Sequence, residues 1–461
     1  MKKNIIFTIC LMLIVASAGL LQAVEMKMPE YSKSTLDNGL DIYVIEQHET
    51  PVVYVQLVIP GGTCFDTEET AGLTNLTCGL LRKGTTTRTA DEIAQEIDFV
   101  GGSLGAGAGQ DAITANTLVL SKHLDVGLEL LADIVLHPIF DDEEVERLKE
   151  QTVAGIMQSK SDPSSIRNME FSKIIFGNHP YGLPAIGTQE TVFMLTSDDV
   201  KEFYNKYFIP NNAFMMVIGD VKPDEVVGKI KNYFADWKAG TVPEMNFPQP
   251  PALEGCKVVL VDKPDATQSY IALGHLGVDR ANPDDFGLRI LNYILGGGGF
   301  ESRLTQNVRE ESGLTYGINS GFDFNKYPGE FSVTTFTKNE STVEAIDKIL
   351  YEINRIKEEP VTADELSECK SFYSGYIPLQ FETPAQIATY LQTILLYELP
   401  MDYYTTYLKE INAATQDEIL NLAQKYLHTD NLLIVVVGKA DDIKTDLEKY
   451  GPVQVIPIIE L

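Results

Sequence analysis

The chain of 461 residues carries one pattern twice. The stretch TSDDVKEFYNKYFIPNNAFMMVIGD (196–220) returns as TQDEILNLAQKYLHTDNLLIVVVGK (415–439). At an offset of 219, Thr196 matches Thr415, Asp198 matches Asp417, Lys206 matches Lys425, Tyr207 matches Tyr426, Asn212 matches Asn431 and Gly219 matches Gly438. A fainter repeat at an offset of 216 links GLDIYVIEQHETPVVYVQLVI (39–59) to GCKVVLVDKPDATQSYIALGH (255–275). Solenoid units run roughly 20–50 residues, so a period this long means two homologous domains. The length agrees, because single hydrophobic cores stop growing at about 250–300 residues.

Each copy reads the same way. Strand-like runs at 41–46 and 52–59 recur at 257–262 and 268–274. Further strands follow, such as ITANTLVL (113–120) and GEFSVTTFT (329–337), then amphipathic helices such as 122–135 and 141–158. A helix and an apolar strand close each unit. Strands interrupted by paired helices, without regular βαβ alternation, predict an α+β fold of two α/β sandwiches. The proline-rich stretch AGTVPEMNFPQPPALEG (239–255) is the natural linker, giving expected domains 24–240 and 256–461 around a linker at 241–255.

The first residues, MKKNIIFTICLMLIVASAGLLQA, place two lysines before an apolar run that ends in small residues. That is the pattern of a secretory signal peptide over 1–23, so the expectation is an exported chain, periplasmic or secreted. No later segment has the continuous apolar length of a membrane span, and no stable membrane insertion is expected. The formal charge of −30 argues against a nucleic-acid partner, because phosphates are held by clustered Lys and Arg. Cys64, Cys78, Cys256 and Cys369 lie scattered without a C-x-x-C pair, and their pairing is open.

Most conventional motifs are missing. GGSLGAGAG (101–109) precedes a strand and lacks the setting of a dinucleotide loop, and LGGGGFESRL (295–304) has no GK[ST]. Both read better as loops or as backbone open to a ligand. The histidines His48, His123, His137, His179, His275 and His428 include no pair at helical metal spacing, and there is no G-x-S-x-G elbow.

Two long stretches do carry a family signature. DNGLDIYVIEQHETPVVYVQLVIPGG followed by TAGLTNLTCGLLRKGTTTRTADEI, and then NHPYGLPAIGTQETVFMLTSDDVKEFYNKYFIPNNAFMMVIGD, resemble the N-terminal domain of the pitrilysin/insulinase family of zinc metallopeptidases. SRLTQNVREESGLTYGI (302–318) resembles a hallmark of that family's second domain. The resemblance spans roughly residues 34–440 and implies two sandwich domains of the mitochondrial processing peptidase type, forming half of a clamshell.

In active members the segment AGLTNLTCGLLRKGT (71–85) carries H-x-x-E-H. Two His one turn apart hold zinc, the Glu takes a proton from the bound water, and a later Glu completes the ligands. A gapless match places Asn75 and Gly79 at the His positions, Cys78 at the Glu position and Gly155 at the later Glu. Glycine has no donor, and zinc needs three strong protein ligands, so no metal and no catalytic residue are expected in this chain. The resemblance also implies a substrate grip by an Arg and a Tyr seven apart, here Arg309 and Tyr316.

The expectation is therefore a zinc-less subunit of an exported two-subunit peptidase. It would bind a related subunit with an intact motif, which would hold the zinc, and contribute Arg309 and Tyr316 to a peptide substrate; a homodimer is also open. The alternative is a purely structural, assembly member of the family. An autonomous peptidase with an unusual metal site is disfavoured by the same missing ligands.

Overall fold

The computed structural model describes residues 29–460, so the signal peptide expected at 1–23 lies outside the described residues. Among the described residues, twelve strands form two six-stranded sheets. The first has the order β1-β2-β6-β3-β5-β4, from Tyr31–Thr35, Asp41–Glu46, Phe214–Gly219, Val52–Pro60, Ala112–Leu120 and Ser103–Ala108. The second has the order β12-β7-β11-β8-β10-β9, from Val453–Pro457, Lys257–Asp262, Leu433–Gly438, Gln268–Leu276, Pro328–Lys338 and Ile318–Phe324.

The repeat is reproduced residue for residue. Strand β6 and the helix Ser197–Tyr207 map at +219 onto β11 and the helix Gln416–Tyr426, and β2 and β3 map at +216 onto β7 and β8. Thr196 and Thr415 cap the paired helices, accepting from the backbone N–H of Asp199 and Glu418. The copies diverge at one edge. There the first sheet uses the N-terminal strand β1, antiparallel to β2, and the second uses the C-terminal strand β12, parallel to β7.

Among the helices, the first half includes α1 (Leu73–Leu80), α2 (Asp142–Ser159), α3 (Pro163–Phe176) and α4 (Ser197–Tyr207). The second includes α5 (Asp285–Asn292), α6 (Ala363–Leu379), α7 (Pro384–Leu396), α8 (Tyr403–Ala413) and α9 (Gln416–Tyr426). Each sheet buries one face under its own helices. Ile42, Val44, Val55, Leu57, Met215 and Val217 do so in the first half.

The opposite face is covered from the other half. Helix α7 packs on β3 and β6, where Tyr43, Ile45, Val58, Met216 and Ile218 join Ile387, Leu391 and Ile394. Reciprocally, α3 packs on β8 and β11, where Phe171, Ile175 and Phe176 meet Val259, Ala272, Leu433 and Val435. Strands buried on both faces need unbroken apolar runs, which explains FMMVIG in β6 and LIVVVG in β11, all twelve residues buried.

Polar contacts lock the exchange. Buried Gln56 on β3 donates to Gln392 Oε1 of α7 at 2.9 Å. Buried Asp111 accepts from the Tyr181 hydroxyl, from Lys326 N at 2.9 Å and from the Tyr397 hydroxyl at 3.1 Å, joining both halves at one carboxylate. His275 is equally committed: Nδ1 bonds to Leu276 O at 2.9 Å and Nε2 accepts from His428 N at 3.1 Å. That pattern fixes a neutral ring, and burial lowers its pKa from 6.5 to about 4.

Two tests follow from this architecture. Phe171→Ala, a change in the first half, should destabilise the second sheet and cost about 3–5 kcal/mol in urea unfolding. For His275 the unfolded chain binds the extra proton between about pH 4 and 6.5, so its contribution to stability is lost as pH falls through that window. The difference in unfolding free energy between the native chain and His275→Gln should therefore shrink on acidification, by roughly 3 kcal/mol across the window. A difference independent of pH would exclude this assignment.

Candidate functional site

Two clusters bear on function, one in each half. The first is α1, which begins after Gly72 in a left-handed conformation (φ 96°). Buried Asp66 holds this start, accepting from Gly72 N and Thr74 N at 3.0 Å each and from Thr74 Oγ1 at 2.6 Å. Burial nevertheless pushes its carboxyl up to about 6, because desolvation outweighs the three bonds. The segment after Leu183 closes over the helix. Asn75 Nδ2 donates to Ala185 O at 2.6 Å, and Thr191 Oγ1 donates to Ala71 O at 2.7 Å.

The four positions that the resemblance assigns to zinc chemistry are all otherwise engaged or blank. Asn75 is tied to a loop carbonyl. Cys78 faces the core beside Leu76 and Leu80, and burial, reinforced by Asp66, raises its thiol so that no thiolate is on offer. At Gly79 an added Cβ would lie 2.9 Å from Leu148 Cδ2, so the tip of Leu148 of α2 would have to swing aside to admit a histidine. Nothing lies within 4 Å of the equivalent point at Gly155. Glu146 instead pairs with Lys149 at 2.7 Å, and Glu150 is exposed. Among the described residues, no three His, Cys, Asp or Glu side chains converge as a metal site. The residues present do not fit a zinc ion.

What α1 borders is still open to a ligand. Strand β4, which packs beside α1, is an edge of its sheet; Arg82 Nη1 donates to Leu104 O at 2.9 Å, and beyond it Gly105, Ala106, Gly107 and Ala108 leave the backbone approachable. A cavity of about 460 Å³ lies between the end of α2, α3 and the segment 181–190, with Lys160, Asn168, Ser172 and Glu190 among its polar groups. This arrangement can bind, but it holds no nucleophile paired with a base.

The second cluster surrounds Arg309. A π-helical turn, Tyr293–Gly297, leads into the glycine loop, and a second π-helix spans Thr305–Glu311. Such wide turns are rare and frequent at functional sites. Leu304 and Val308 are fully buried, which turns Arg309 outward. Gly296 is required at the loop's start, since a Cβ there would lie 2.4 Å from Ser320 Oγ.

The Arg309 guanidinium lies 4.4 Å from the Phe300 ring centroid and 4.9 Å from that of Tyr316, stacked between two exposed aromatic rings. Among the described residues its one carboxylate contact is its neighbour Glu310, at 3.3 Å. The structure thus brings Arg309 and Tyr316 together and adds Phe300, whose signal was the glycine cluster preceding it. Among the described residues no bond or ring contact joins this cluster to Asn75, Cys78, Gly79 or Gly155. Cys64, Cys78, Cys256 and Cys369 are all free thiols.

The α1 geometry makes two predictions. Dialysis of the native chain against zinc should leave no stoichiometric metal by elemental analysis, and one retained zinc per chain would refute the reading of the site. Gly79→His, with the tip of Leu148 swung aside, should likewise retain no stoichiometric zinc in the same assay, because Asn75 and Gly155 still offer no strong ligand.

Comparison with known proteins places the chain. Residues 42–189 match the insulinase (peptidase family M16) domain, and residues 194–373 match the peptidase M16 inactive domain. The chain is 30% identical over 305 residues to a protein of Mycobacterium leprae described as an uncharacterized zinc protease, covering 65% of this chain and 68% of that one. It is 24% identical to a Helicobacter pylori protein described as a non-peptidase homolog, covering 85% and 90%. The crystal structure of a peptidase M16 inactive domain from Pseudomonas fluorescens superposes with a TM-score of 0.84 at 26% identity, covering 89% of this chain and 98% of that one. With these matches and no H-x-x-E-H motif, the chain belongs to the M16 insulinase family as a non-catalytic member.

Proposed function

We propose that this protein is the zinc-less subunit of an exported two-subunit M16 peptidase and presents Arg309 and Tyr316 to the substrate of a partner that carries H-x-x-E-H. The observation that carries the reading is the contrast between the two clusters. The metal positions on α1 and α2 have no ligands left, while Arg309 is held between Phe300 and Tyr316 with Tyr316 79% exposed. An exposed aromatic pair oriented around a guanidinium suits a surface that meets something else. Stacking holds the Arg309 plane in place and leaves most of its donors free for a peptide carbonyl, while the Tyr316 hydroxyl adds a donor toward developing negative charge.

The edge strand β4 supports the same reading, since an extended peptide adds to a sheet edge through backbone hydrogen bonds. Export rests on the lysines and apolar run of residues 1–23, and the site of cleavage is read by the mass of the mature chain. The two chains would close face to face, with the peptide between them.

The test is reconstitution with an M16 chain that has an intact motif. Mixing should produce co-elution and peptidase activity that neither chain shows alone. Arg309→Ala should lower kcat/KM roughly 10–100-fold, the worth of a charged hydrogen bond, while leaving the complex intact. A partner whose activity is indifferent to this chain would overturn the proposal. Activity that needs the chain but tolerates Arg309→Ala would leave it an assembly role only.

A further inference from the structure

The chain carries 66 acidic against 36 basic residues, so a cavity without a carboxylate in its wall is an anomaly. One of about 430 Å³ opens in the helical layer of the second half, between α5, α6, α7 and α8, and no Asp or Glu lines it. Two arginines do, Arg280 and Arg289, together with a wall rich in tyrosine.

The charge balance there is uneven. Arg289 Nε donates to Asp285 Oδ1 at 2.8 Å, and Asp285, itself buried, also accepts from the Tyr403 hydroxyl. That carboxylate neutralises one guanidinium. Arg280 forms no ion pair among the described residues, and its one side-chain hydrogen bond is a long contact from Nη2 to the Tyr404 hydroxyl at 3.5 Å. Two cations thus share one anion, leaving about one positive charge facing the cavity. Arg280 Nε and Arg289 Nη2 are buried without any acceptor, a state that native structures seldom leave unexplained.

Rings flank both groups, with Asp285 also holding Arg289 through Nε. The Phe324 ring lies 4.6 Å from the Arg289 guanidinium carbon and 5.8 Å from that of Arg280, with Tyr403 at 5.6 Å from Arg280 and Tyr407 at 5.9 Å from Arg289. Stacking fixes the planes and leaves N–H groups of each fork uncommitted, as in sites that grip carboxylates. The remaining wall is aromatic, with Phe372 stacked on Tyr376 and Tyr390 edge-on to Tyr404 at 4.3 Å. Burial raises the Tyr373 and Tyr390 phenols, so they stay neutral.

We propose that this cavity is a binding site for a small organic anion, a carboxylate on an aromatic or apolar body, gripped by Arg280 and Arg289. A single unneutralised charge matches a monoanion, and the aromatic wall takes the body. The volume lies in the range of about 300–1,000 Å³ usual for small-molecule sites. The same chemistry is presented by a free aromatic acid and by the C-terminus of a short peptide ending in Phe. Thr389, Tyr390 and Thr393 of α7 line the cavity, and α7 also covers the first sheet, so an occupant braces the exchanged helix. Phe300, Arg309 and Tyr316 do not line this site, although Tyr293 and Gly297 of the adjoining π-helical turn do, and it stands apart from the proposed peptidase role.

The test titrates the full mature chain by calorimetry and thermal unfolding with 3-phenylpropanoate, with Ala-Ala-Phe and with the amide of each. The acids should bind saturably and raise Tm, and each amide should bind at least roughly tenfold more weakly, since it lacks the charged bond. Binding of the peptide acid alone, or of phenylpropanoate alone, identifies the source and supports the site. Arg280→Gln, which breaks no ion pair, should weaken acid binding by about tenfold or more with an unchanged urea midpoint. Acids that fail to bind at millimolar concentration, amides that bind equally well, or Arg280→Gln binding like the native chain would each overturn the proposal. The acid–amide comparison uses the native chain and does not depend on the variant folding.

Discussion

The structure depends on an exchange of helices between its two halves. A sheet with one face bare would leave the alternate residues of β2, β3 and β6 in water, and Tyr43, Ile45, Val58, Met216 and Ile218 are all apolar. Helix α7 covers them, and α3 performs the same service for β8 and β11. Neither half can therefore bury its own sheet on both sides, although each carries a complete set of strands. The hydrophobic effect that stabilises each sandwich also joins the two, and the bonds at Asp111 and Gln56 fix the register of that joint.

This explains which parts of the fold were legible in the sequence. The repeat is written in local signals: a Thr cap, a helical period, a turn and an unbroken apolar run, and these place a helix followed by an apolar strand at the close of each half, where α4 and β6, then α9 and β11, lie. The exchange is not written locally. PSSIRNMEFSKIIF has only a weak amphipathic pattern, and nothing in its period says that Phe171 and Ile175 belong to the distant sheet. Strands interrupted by paired helices predict helices on one face of each sheet and a free surface on the other; the structure differs, because α7 and α3 cover that second face.

The candidate sites divide in the same way. Asn75, Cys78, Gly79 and Gly155 could be assigned because a frame of fixed length surrounds them. That Leu148 fills the space beside Gly79 could not, since it is a contact between helices. Cys78 shows why the helix outlasts its chemistry: α1 still packs between β4, α2 and α4 as part of the first core. Losing ligands costs such a helix nothing as long as Leu76, Cys78 and Leu80 keep filling the same volume. Phe300 was hidden for a different reason. A residue after four glycines has no periodicity to betray it, and only the π-helical turns bring it over Arg309.

Charge sets two arginines of the second half apart. In so acidic a chain an arginine finds carboxylates easily: Arg88 meets Glu96, Glu129 and Asp133, and Arg303 pairs with Glu365 through two nitrogens. Arg309 and Arg280 are treated differently, one touching only its own neighbour Glu310 and the other no carboxylate among the described residues. Both are instead oriented by aromatic rings, which attract the cation without consuming its N–H donors. Keeping a guanidinium rigid yet uncommitted has no value for folding, where pairing with one of many nearby acids would serve better. It has value for a ligand, because an oriented fork loses little freedom when an oxygen arrives. The first half keeps the frame of a metal site without its donors, and the second keeps donors that its own fold does not use.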